Sequence, residues 1–198
     1  MKTCFAGKGW KFLALYAYQY GNAAVVTGYM TGHLSLWLTL LFQILYLGSL
    51  IWLVRKIPKL VPIKKRLVWL VACLGLMIMS SAIFGLIASV TSSNQESLRQ
   101  VQHQVPIVLF ALFLLNASIV EELVYRGYLW QLFSNPLHAL WVTSLVFALA
   151  HHPNHWISWI VYWSLGLSLG LMRKQIDLYG AIFLHILWNV LAFLTSML

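Results

Sequence analysis

From Leu34 to Val54 the chain carries no charged side chain, and apolar segments of similar length recur to its C-terminus. A helix that crosses a bilayer needs roughly 20 mostly apolar residues. Only 9% of the 198 residues are charged, and mean hydropathy is +0.81. Soluble domains carry about 25% charged residues, so too few are present to cover a water-facing surface. The expectation is an all-α, polytopic transmembrane bundle of about seven spans, within a range of about six to eight, forming one membrane domain over 1–198.

Trp10–Met30 is the first helix candidate, weakened by Gly21 and Asn22, and Leu34–Val54 is the second. The segment Arg55–Arg66 holds six positive charges and two prolines without an acid, which predicts a short cytoplasmic loop. Leu67–Val90 is a third span, followed by polar Thr91–Gln104, read as an external loop. Pro106–Phe133 reads as one long fourth helix, with Pro106 tolerated in its first turn. Asn135-Pro136 breaks the chain before Leu137–His151, and Pro153 separates that helix from Trp156–Met172. Asp177 is the expected N-cap of a last helix running to Leu198. Gly166 and Gly170 form a GxxxG pattern, which predicts close helix packing.

Charge sets the topology. With the N-terminus in the cytoplasm, Lys2, Lys8, Lys11, the six loop positives, Arg126, Arg173 and Lys174 all fall toward the inside, and Arg99 falls outside. The excess of 13 Lys and Arg over 4 Asp and Glu therefore points to an anionic membrane surface and not to nucleic acid. The 10 Trp and 9 Tyr suit interfacial belts. Cys4 and Cys73 are isolated thiols, with no disulfide framework. The N-terminus is basic and then apolar, as in a signal peptide. Tyr16, Tyr18, Tyr20 and Asn22 interrupt it, and no small-residue cleavage site follows, so it is expected as a retained first span.

Ionisable groups inside a bilayer are expensive and are functional candidates by default. They form three clusters. Glu121 and Glu122 hold two of the four acids. Glu122 and Arg126 are spaced i,i+4 and can pair on one face. Glu121 is turned about 100° away, without a local cation, and is free to hold a proton or a water. The second cluster is Phe147…His151, and the third is His185…Asn189, again one helical turn apart. His185 and Asn189 suit a metal site, an oxyanion site or interhelical polar packing. His152 and His155 read as structural. At 1.5 Å per residue, Glu121 lies roughly 18 Å from the end of its helix, His151 roughly 21 Å from the start of its own, and Asn189 roughly 15–18 Å into the last. One buried site accounts for this shared depth.

Taken in order, Glu121-Glu122…Arg126, Phe147…His151 and His185…Asn189 resemble the EExxxR, FxxxH and HxxxN/D motifs of the CPBP family. These are the CAAX-prenyl-protease and bacteriocin-processing (Abi) intramembrane proteases. Arg126-Gly127-Tyr128-Leu129 extends the likeness, which covers residues 106–198. The resemblance implies hydrolysis of a peptide bond in a membrane-associated substrate. Glu121 would activate water with help from His151, and His185 and Asn189 would stabilise the oxyanion. Glu122, Arg126 and Phe147 would support the site. Two chemistries stay open: a glutamate-type reaction with no cofactor, or a divalent metal such as zinc on Glu121, His151 and His185. The family's short bacterial members imply a multi-pass protein of the bacterial cytoplasmic membrane, acting in bacteriocin processing or self-immunity. A non-catalytic immunity or regulatory protein is the alternative. A proton-coupled transporter fits less well, because no pair of broken helices appears in matching halves.

Overall fold

The computed structural model describes residues 2–55, 62–87 and 93–196, with the side chains of 2–8, 84–87 and 93 excepted. Half of the basic segment, 56–61, therefore lies outside the described residues, as do 88–92 and the side chain of Cys4.

The described chain is helical, without strands. Its α-helices are α1 (Lys2–Met30), α2 (Leu36–Val54), α3 (Ile63–Ile87), α4 (Ser93–Gln104), α5 (Ile107–Glu122), α6 (Pro136–Ala150), α7 (Trp156–Gln175) and α8 (Leu178–Ser196). A π-helical segment, Leu123–Leu129, and a single 3₁₀ turn, Trp130–Leu132, follow α5. Leu36–Val54, Ile63–Ile83, Ile107–Leu132 and Leu178–Ser196 are long and apolar enough to cross a membrane, and α6 is a shorter apolar helix.

The distribution of side chains is that of an integral membrane protein. Trp37, Val68, Val71 and Ile107 point outward, while Asn22, Gln43, Asn116, Glu122 and Arg126 are buried. Water would penalise such an apolar exterior, whereas lipid accepts it. The buried amides link three helices. Asn22 Nδ2 donates to Phe113 O (3.0 Å), Gln43 Nε2 to Asn22 O (3.2 Å), and Asn116 Nδ2 to Gln43 Oε1 (2.6 Å).

Two expectations need correction. The predicted external loop Thr91–Gln104 is instead helical from Ser93. Its Val101 packs against the cluster of Val26, Val105, Leu109 and Phe110, so even a polar segment presents one apolar seam at helical spacing. The predicted continuous helix Pro106–Phe133 keeps α geometry only to Glu122. Asn135 caps α6, accepting from Leu137 N at 2.8 Å. Asp177 caps α8 as expected, accepting from Gly180 N at 2.8 Å, and also receives both Arg66 Nη atoms. That ion pair ties the start of α3 to the start of α8.

Helices α6 and α7 approach closely where the GxxxG pattern predicts. A Cβ on Gly166 would sit 2.9 Å from Ser144 O, and one on Gly170 2.5 Å from Leu140 Cδ1. Ser164 Oγ donates to Ser80 Oγ at 2.9 Å and joins α7 to α3. This packing holds α3, α6 and α7 together beside the polar clusters.

Candidate active site

The site lies where α5, the π segment, α6, α7 and α8 meet. Arg126 is completely buried and reaches two partners from the π segment. Its Nη1 donates to Glu122 Oε1 (2.9 Å) and its Nη2 to the Gly166 carbonyl (2.8 Å). A buried charge is tolerable only when paired and hydrogen-bonded. The guanidinium also lies 4.5 Å from the Phe147 ring centroid. Side chains take two carbonyls of the π segment: Arg173 Nε donates to Arg126 O (2.9 Å) and Gln131 Nε2 to Gly127 O (2.8 Å). π-Helical turns within longer helices recur at functional sites.

Glu122 accepts a second contact, from His185 Nδ1 at 3.0 Å. Arg126, Glu122 and His185 thus form one buried chain, 0%, 0% and 5% exposed. Asn189, one turn deeper on α8, donates through Nδ2 to Ser118 Oγ at 2.9 Å. Ser118 in turn donates to Leu114 O at 2.8 Å. Sequence reasoning missed Ser118. The available signal was its i,i+4 spacing from Glu122, which aligns Ser118, Glu122 and Arg126 on one stripe.

Glu121 faces away from this chain, toward His151. Its Oε2 is 3.8 Å from His151 Nε2, and that oxygen is buried without a hydrogen bond from any described group. His151 Nδ1 lies 2.8 Å from Phe147 O. A carbonyl only accepts, so Nδ1 carries the hydrogen, and Nε2 of the neutral ring offers a lone pair toward Glu121. Two acceptors then converge at a distance too long for a direct hydrogen bond. They are suited to sharing a proton or a water.

Phe147, 2% exposed, joins the two halves. Its ring is 4.3 Å from the His151 ring and 5.9 Å from that of His185. The glutamate, histidine and asparagine candidates are therefore gathered in one region, in two connected sets.

Within this region the three residues considered for a metal, Glu121, His151 and His185, face different partners. Glu121 and His151 pair with each other while His185 turns to Glu122, and among the described residues no three His, Cys, Asp or Glu side chains are arranged to hold a metal ion. His155 caps α7, accepting from Ile157 N and bonding with Ser158. His152 occupies a left-handed turn, φ 46°. Neither is directed by these features to the site.

Residues 103–191 match the family described as type II CAAX prenyl endopeptidase Rce1-like. That span contains all three motifs. Over 169 residues the chain is 31% identical to the UPF0177 protein YvdC of Lactococcus lactis subsp. lactis (strain IL1403), covering 77% of this chain and 64% of the relative. The chain thus spans less than two thirds of that relative's length. No solved structure matches it.

Proposed function

We propose that the chain, whose residues 103–191 match the type II CAAX prenyl endopeptidase Rce1-like family, is an intramembrane endopeptidase that uses Glu121 and His151 to activate water. The observation that carries this reading is the convergence of Glu121 Oε2 and His151 Nε2 across 3.8 Å. A water between them donates one hydrogen to each acceptor and keeps its lone pairs for a peptide carbonyl. Glu121 takes the proton as the C–O bond forms, giving a tetrahedral oxyanion. The same proton then passes to the departing amine as the C–N bond breaks.

The oxyanion requires donors. Asn189 uses one Nδ2 hydrogen on Ser118 and has a second available. With His185 Nδ1–H donating to Glu122, Nε2 donates only when the ring is doubly protonated. Glu122, Arg126 and Phe147 hold these groups in place.

The substrate we propose is a small membrane-associated peptide or protein, in bacteriocin processing or self-immunity. The test compares purified wild type, Glu121→Gln and His151→Ala in detergent against a fluorogenic peptide panel, with and without chelator. Cleavage by wild type alone, unchanged by chelator, is expected. Wild-type cellular function in Glu121→Gln would refute catalysis and favour a partner-binding immunity protein. Loss with chelator, restored by metal, would overturn the metal-free steps.

A further inference from the structure

We propose that Tyr162 is a positioning residue for His151: its ring holds the imidazole plane so that Nε2 faces Glu121, and α4 sets Tyr162 through Asn94. The proposal rests on the reading of Glu121 and His151 as the water-activating pair.

The bond from Nδ1 to Phe147 O fixes one point of the imidazole and its tautomer. It does not fix the swing of the ring about that point, and Nε2 is the atom that swings. A face contact is needed to set the plane. Tyr162 supplies it, stacked on His151 with centroids 4.5 Å apart and 25° between planes. Phe147 adds a tilted contact from the same helix as His151.

Tyr162 is itself well held. It is 7% exposed and belongs to α7, which is locked on α6 through Gly166 and Gly170. Its hydroxyl accepts from Asn94 Nδ2 at 3.1 Å. A contact therefore runs from the polar helix α4, through Asn94 and Tyr162, to the face of His151. Displacing a catalytic group by about 1 Å can cost about 10²-fold in rate, so the plane of this ring matters to turnover more than to substrate affinity.

The experiment compares Tyr162→Leu, Tyr162→Phe and Asn94→Ala with wild type in detergent, by peptide cleavage and by NMR of ¹³C,¹⁵N-histidine-labelled protein. The His151 signal is identified by its loss in His151→Gln. Tyr162→Leu should remove the Tyr162 contribution to the ring-current shift at His151 Cε1–H and lower kcat roughly 10²-fold, with KM little changed. Tyr162→Phe keeps the stacking face but loses the hydroxyl that Asn94 holds, so it and Asn94→Ala should both fall between wild type and Tyr162→Leu. A folded Tyr162→Leu protein with the wild-type His151 signal or wild-type kcat overturns the proposal. So does a Tyr162→Phe protein that loses as much as Tyr162→Leu. If wild type cuts no peptide, the peptidase reading suffers, and the NMR arm alone decides for or against the positioning role.

Discussion

His185 Nδ1 and Arg126 Nη1 meet at the same carboxylate oxygen, Glu122 Oε1, at 3.0 and 2.9 Å. Adjacent glutamates thereby receive different work. Glu122 Oε1 is occupied by two buried nitrogens, whereas Glu121 Oε2 faces His151 Nε2 across 3.8 Å; the second oxygen of Glu122, like Glu121 Oε2, receives no hydrogen bond from any described group.

The two Glu→Gln substitutions should separate cleanly. Glu122→Gln leaves Arg126 without its counter-charge in a buried site, and breaking such a pair costs about 3–5 kcal/mol. Thermal unfolding in detergent should show a large loss of stability, with activity falling alongside. Glu121→Gln removes no comparable partner, so stability should stay near wild type while cleavage is abolished. Equal destabilisation by both variants would contradict this division.

Arg126→Lys should not rescue the site. The guanidinium serves Glu122 and the Gly166 carbonyl from separate nitrogens and lies over Phe147. One ammonium cannot reproduce that planar fork. A loss of at least one buried hydrogen bond to a charged group, about 1.5–3 kcal/mol, should appear as a lower Tm, with activity reduced although the charge is kept.

The amphipathic logic of these segments explains what was legible in the sequence. Apolar runs bounded by charges located the long helices, and the i,i+4 spacing correctly paired Glu122 with Arg126. Spacing within one helix says nothing about its rotation against another, so the partner of His185 was hidden, as was the stacking of Tyr162 on His151. Helix α4 was hidden by its polarity, although Leu98, Val101 and Val105 follow helical spacing. The π segment has no local sequence rule. Its carbonyls are taken by Arg173 and Gln131, one of them from another helix.

Gly166→Ala tests whether the α6–α7 approach supports the site. The new methyl group would meet Ser144 backbone atoms at 2.9 and 3.1 Å, and a backbone cannot step aside as a flexible side chain can. Overpacking of this kind costs about 1–3 kcal/mol. It should also pull the Gly166 carbonyl from Arg126 and reduce cleavage. Gly75→Ala is the control, because a Cβ there meets nothing within 4 Å. It should be neutral or slightly stabilising.

Ser118 and Asn189 should behave as one unit. Asn189 Nδ2 donates to Ser118 Oγ, an arrangement that fixes the carboxamide and directs its remaining hydrogen. If Asn189 supplies the oxyanion contact, Asn189→Ala should lower kcat by about 10²–10³-fold. Ser118→Ala keeps that donor but frees its rotation, so the loss should be smaller and should fall on kcat rather than KM. The double variant should be no worse than Asn189→Ala alone, because Ser118 has nothing left to orient. Additive losses in this double-mutant cycle would mean that Ser118 acts on the site by another route.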